Sequence, residues 1–175
     1  MKVTTPGLVR FSYANVFVPK TAPGSTEAKY SVCLLINKDD NLTVKAFEDA
    51  IAAVNAEGKA AHGAKWKPTK GLKLRDGDVE KPGDENYAGC WFINANNKNK
   101  PFVVDKNVQP ILEATEFYSG CYGKASVNLF PYTTVGCGIG CGLNGVQKIK
   151  DGEPLGSFVR AEDEFVTEDD ADGIL

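Results

Sequence analysis

Residues 117–132 read Phe117-Tyr118-Ser119-Gly120-Cys121-Tyr122-Gly123-Lys124-Ala125-Ser126-Val127-Asn128-Leu129-Phe130-Pro131-Tyr132. Successive side chains of a strand point to opposite faces, so the stretch divides by parity. The odd positions, Phe117, Ser119, Cys121, Gly123, Ala125, Val127, Leu129 and Pro131, are small or apolar and suit a core. The even positions carry Tyr118, Tyr122, Lys124, Ser126, Asn128, Phe130 and Tyr132. A solvated face ordinarily bears Glu, Lys, Thr and Gln, so four rings there need a reason. One reason is a sheet buried on both sides, with the tyrosine hydroxyls finding partners. The other is a platform on which bases stack while a lysine meets phosphates.

Outward from this strand, the chain alternates in the same way. Leu8 to Val18 holds Phe11, Tyr13 and Phe17 and ends at Pro19, a first strand. Lys29 to Ile36 is a second, nearly all apolar. Ala88 to Ala95 is a third, with Trp91 and Phe92 on opposite faces, and Phe102 to Val104 a short fourth. Beyond Thr133-Thr134, Val135, Cys137, Ile139, Cys141 and Leu143 share one side while Gly136, Gly138, Gly140 and Gly142 share the other. A face without side chains implies another backbone, or a ligand's, close against it. The letters Gly140-x-Gly142-x-x-Gly145 match a dinucleotide fingerprint, but strand and not helix follows, which excludes that site. Helical period occurs over Asn41–Glu57, where Val44, Phe47, Ile51 and Val54 share a face. Asp40 or Asn41 can cap its start and Gly58 its end.

At 175 residues with 17 aromatic side chains and 42% hydrophobic content, the chain is globular and suits one domain with appendages. No apolar run reaches membrane-spanning length, and Met1–Gly7 lacks the apolar core of a signal peptide, so a soluble intracellular protein is expected. Five scattered cysteines fit buried thiols better than disulfides. Cys137-x-x-x-Cys141 and a single histidine, His62, make a poor metal set. No metal or cofactor is expected, and no nucleophile–base pair suggests an enzyme.

Charge is unevenly spread. Residues 161–175 hold seven acids and no base, leaving 20 basic against 16 acidic residues before them, a body of +4. Between Lys59 and Arg75 lie six cations, His62 and Trp66, and no acid. An indole on a solvated loop is costly unless something covers it. The expected single-strand path therefore takes its cations from Lys65, Lys67, Lys70, Lys73, Arg75, Lys98, Lys100 and Lys124. Its stacking rings come from Trp66, Trp91, Tyr118 and Tyr122, with Phe92 the alternative to Trp91.

Strand dominance, one helix, basic loops and long hairpins suit a mainly β, OB-fold-like antiparallel barrel over residues 1–160, followed by an acidic tail over 161–175. Several short runs lie in order: Leu74-Arg75-Asp76-Gly77-Asp78, Tyr87-Ala88-Gly89, Phe92-Ile93-Asn94-Ala95-Asn96, Tyr118-Ser119-Gly120-Cys121-Tyr122, Gly142-Leu143-Asn144-Gly145-Val146-Gln147 and Asp151-Gly152-Glu153-Pro154-Leu155-Gly156. As an ordered set, densest over Leu72–Gly156, they resemble the bacteriophage single-stranded DNA-binding proteins with an OB-fold and an acidic C-terminal tail. The resemblance implies a replication or recombination accessory that coats single strands without sequence preference in the infected bacterial cytoplasm, with possible self-association on DNA. The alternative is a phage adaptor whose aromatic face and acidic tail bind proteins. In the tail, Glu162, Asp163, Glu164, Glu168, Asp169, Asp170 and Asp172 surround Phe165, and the chain closes on Ile174-Leu175. That pattern is expected to compete with DNA for the basic groove and, once displaced, to engage replication partners such as a polymerase or primase–helicase.

Overall fold

The computed structural model describes residues 1–155. Its strands are β1 (Lys2–Thr4), β2 (Val9–Thr21), β3 (Ala28–Asn37), β4 (Arg75–Asp76), β5 (Cys90–Asn97), β6 (Phe102–Val104), β7 (Tyr122–Tyr132) and β8 (Gly138–Lys150). The helices are α1 (Asn41–His62), a 3-10 turn at Gly63–Lys65 and the one-turn α2 (Gly77–Glu80). Neighbour pairing runs β7–β2–β3–β5–β8, and β8 pairs back to β7, so the sheet closes on itself in the OB order. The antiparallel expectation needs one correction. The ring closes between β5 and β8 through a parallel contact at Asn96↔Gly142, because the chain crosses over the end of the ring between these strands. A second parallel strand, β6, flanks β8.

The odd face of β7 is the core face: Ala125, Val127 and Leu129 are buried with Phe11, Leu34, Ile36 and Leu143, and the strand starts only at Tyr122, so Phe117–Cys121 precede it as turn and loop. Along β8 the inward set changes parity. The pairs Val127↔Leu143 and Ser126↔Gly145 leave Asn144 bulged, so Leu143 and Val146 both point inward.

Helix α1 starts where Asp40 accepts the Thr43 N–H at 3.1 Å, and buries Phe47, Ala50, Ile51 and Val54 against the ring. It does not stop at Gly58. It runs one further turn to Gly63, whose φ of +54° and N–H bond to the Lys59 carbonyl end it. Gly58 is small because the Trp66 indole lies against it; a Cβ there would collide with the ring.

On the outer face of β3 and β5, residues 77–90 fold over a second, smaller cluster of Cys33, Leu35, Tyr87 and Phe92. Lys38 pins this segment, its ammonium 2.7 Å from Asp76 and 2.8 Å from Asp78. The five cysteines are free, and burial pushes Cys33 up to about 11 and Cys141 up to about 12, so both are neutral packing groups at pH 7.

Candidate nucleic-acid interface

The even positions of β7 form one wall of a groove. Lys124 and Ser126 line a depression of about 890 Å³ shared with Lys2 of β1, Phe102 of β6 and Asn144 and Gln147 of β8. Further along β7, Asn128 and Phe130 line a second depression with Lys29, Asn96 and Lys98. A third lies on the outer face of β3 and β5, among Tyr13, Arg75, Lys81, Tyr87, Asn94 and Asn96. The first two share Asn97 and Asn144, and the last two share Asn96, so the three adjoin in a row that outlines a groove.

Among the described residues seven cations line it, namely Lys2, Lys29, Arg75, Lys81, Lys98, Lys100 and Lys124, and no carboxylate does. Two have acidic neighbours outside the lining: Arg75 is held by Glu80 at 2.9 Å, and Lys98 lies 3.3 Å from Glu27. Among the described residues the other five make no ion pair. A concave surface lined by one sign of charge concentrates field and attracts a polyanion. Between the cations stand amides (Asn94, Asn96, Asn97, Asn128, Asn144), which both donate and accept, and rings at Tyr13, Phe102 and Phe130. Phe102 is 75% and Phe130 41% exposed.

The glycine face of β8 explains how rings come to line a groove. Gly138 lies against the hydroxyl end of Tyr132, Gly140 under the Phe130 ring, and Gly145 against the base of the Phe102 side chain. Rings and backbone share the space expected for a backbone: the Lys70 carbonyl reaches Gly138, the Asn128 carbonyl Gly142 and the Phe102 carbonyl Gly145. Cross-strand rings covering glycines is a known device for supporting such a strand.

The expected site residues fall into four places. Arg75, Lys98, Lys100 and Lys124 line the groove. Trp66 does not: it is 6% exposed, packed under α1 with its Nε1–H donating to Asn55 at 2.7 Å and His62 stacked on it at 6.1 Å. The extended helix covers the indole, which corrects its assignment to stacking. The basic run goes with it: Lys65, Lys67 and Lys70 lie beside that helix end and the start of β8, where Lys70 makes a backbone bridge to Gly138. Trp91 and Lys73 line a separate hollow against α1 with Glu48 and Ile51. Phe92, not Trp91, belongs to the groove face, and it lies buried beneath Arg75 at 4.6 Å.

Tyr118 and Tyr122 are also elsewhere. The Tyr118 hydroxyl is shared between Asp151 (2.9 Å) and the Gly152 carbonyl (3.0 Å), and it accepts the Gly152 N–H. Tyr122 lies between Arg10 and Lys150 with Gly152 against its ring. Both rings are half-buried, packed against residues 151–152, and neither lines the groove. The tail residues Glu162, Asp163, Glu164, Phe165, Glu168, Asp169, Asp170, Asp172, Ile174 and Leu175 lie outside the described residues.

With this geometry in hand, comparison with known proteins is decisive about kinship. Residues 1–175 match the family described as the ssDNA-binding protein of Enterobacter phage Enc34. The chain belongs to this family. It is a family of binding proteins, not of enzymes. Another relative of this Enc34-type chain is protein p50 of Acyrthosiphon pisum secondary endosymbiont phage 1, 31% identical over 173 residues that cover 90% of this chain and 89% of p50. Among solved structures, the single-stranded DNA-binding protein of bacteriophage Enc34 in complex with ssDNA superposes with a TM-score of 0.69 at 28% identity, covering 89% of this chain and 88% of that one. The fold also matches gp2.5, a single-stranded DNA-binding protein encoded by bacteriophage T7, with a TM-score of 0.56 at 22% identity over 91% of this chain and 97% of that one.

In this Enc34-type chain, sequence reasoning missed Lys2, Lys29, Lys81, Tyr13, Phe102, Phe130 and the asparagines of the groove. Phe130 and Asn128 carried a usable signal, since both sit on the even face of β7. The isolated lysines carried none, because only strand pairing brings positions 2, 29, 81, 98 and 124 to one surface.

Proposed function

We propose that this chain binds single-stranded DNA along the cation-lined groove, phosphates near Lys2, Lys29, Lys81, Lys98, Lys100 and Lys124 and bases against the exposed rings. The observation that carries this is the adjacency of three depressions whose lining, among the described residues, holds seven cations and no carboxylate. Kinship with a protein solved in complex with ssDNA supports it. Amides and ring faces suit every base, so binding is sequence-tolerant, as a coat in phage DNA replication or recombination requires. Its place of work is the cytoplasm of the infected bacterium, and neighbouring copies associate on the strand.

The acidic tail regulates that groove and recruits replication proteins, a polymerase or primase–helicase. In support, the segment leading to it is tied down beside the groove. Arg10 donates to the Glu153 carbonyl at 2.6 Å, Leu155 N–H to the Ser119 carbonyl at 2.8 Å, and Leu155 packs on the Tyr87–Phe92 cluster. Twenty residues follow Leu155, a contour of at most roughly 70 Å. Titration of the full chain with unstructured, length-graded oligonucleotides tests the reading. Binding that strengthens with length up to one site size is expected; no binding at low salt would reject it.

A further inference from the structure

One residue of β2 has a backbone out of keeping with its side chain. Tyr13 sits at φ +47°, in the left-handed region where a bulky residue is an outlier. Strand pairing accounts for the position. β2 and β3 are in register at Ser12↔Cys33 and again at Asn15↔Ser31, so Tyr13 and Ala14 together face Val32. This is a β-bulge, and a bulge whose first residue is left-handed ordinarily has glycine there. The bulge is held from several sides. The Ala14 N–H donates to Ser119 Oγ at 3.0 Å, and Asn15 Nδ2 donates to the Tyr13 carbonyl at 3.2 Å and to Ser31 Oγ at 3.4 Å.

The tyrosine adds little to the free fold. It is 65% exposed and belongs to neither core cluster. What the bulge does is carry its ring into the groove, beside Arg75, Lys81, Tyr87, Asn94 and Asn96. Strain retained around an exposed ring at a binding surface is a mark of function, because packing gives no other reason to keep it. We infer that Tyr13 is a base-stacking residue of the groove, projected by a strained bulge that serves binding and not folding. This rests on the single-strand groove proposed above and adds a specific anchor at its β2 end.

The test is to compare wild type, Tyr13→Gly and Tyr13→Phe in the full chain, by thermal unfolding and by titration of a labelled oligothymidylate at fixed low salt. Glycine accepts the bulge conformation, so Tyr13→Gly should unfold at the same or a higher temperature yet bind about 5- to 100-fold more weakly. Tyr13→Phe keeps the ring and should match wild type in both. A glycine variant with wild-type affinity overturns the inference, and so does one that loses stability, since the ring would then be structural. Lys29→Gln and Lys81→Gln run beside them separate the two levels. If these weaken binding and Tyr13→Gly does not, the groove stands and the anchor falls. If none of the three changes affinity, the groove falls and takes the anchor with it.

Discussion

Phe130 lies across its cross-strand partner Gly140, in the space a side chain would occupy: a Cβ on Gly140 would stand 2.5 Å from Cζ of the ring. The glycine thus sets the attitude of the groove's middle ring, which remains 41% exposed. Gly140→Val favours the strand but lifts the ring, and should weaken oligonucleotide binding about ten-fold with the β spectrum unchanged. Phe130→Ala should cost about 5- to 100-fold. Fluorescence anisotropy with a labelled oligothymidylate measures both; wild-type affinity in Gly140→Val would mean the ring's attitude does not matter.

Trp66 should behave as a core residue. Trp66→Ala removes an indole seated on Gly58 and bonded to Asn55, and is expected to cost about 3–5 kcal/mol in urea unfolding. The affinity of the folded variant for DNA should stay within about two-fold of wild type. A stable variant that has lost binding would return the indole to the interface.

These two rings mark where the sequence was legible and where it was not. The core face of β7 could be read because period-2 alternation is local, and Ala125, Val127 and Leu129 are buried as their parity requires. Trp66 could not, because Gly58 has the appearance of a helix stop; its smallness answers instead to a ring eight positions on. Tyr13 and the dispersed lysines were illegible for a related reason, since a bulge and a shared surface exist only once strand register is set. The OB order followed from element types, but the parallel β5–β8 closure depends on the crossover and not on any strand's composition.

The Lys38 bridge makes a prediction about acid. Hydrogen bonds from Lys38 hold the Asp76 and Asp78 carboxyls below the usual carboxylate range. Depressed carboxyls stabilise the fold above their unfolded pKa, and that contribution is lost as pH falls through the acid range below about pH 4. Lys38→Met should therefore lower the urea midpoint at pH 7, and the gap from wild type should narrow by pH 3. A gap that widens in acid would show that the bridge is not what these carboxyls contribute.

Truncation after Arg160 removes the seven acids and the Ile174-Leu175 tip. If the tail competes for the groove, the truncated chain should bind single strands more tightly at low salt, with the gain shrinking as salt screens the charge. It should also bind duplex DNA to some extent and fail to bind replication partners. Removing Ile174-Leu175 alone should affect only the partner. Unchanged low-salt affinity on truncation would leave the tail as a tether.

The groove itself is tested most directly by salt dependence in two triple variants of the full chain. One neutralises Lys29, Lys81 and Lys124 in the groove; the other neutralises Lys65, Lys67 and Lys70 near the end of α1. Each phosphate left without its lysine should flatten the slope of log affinity against log salt by about 0.7. The groove triple should therefore flatten the slope by about 2 and bind far more weakly at low salt, while the second should remain close to wild type. A flattened slope in the second triple with an unaffected groove triple would contradict the account and move the DNA to the basic run.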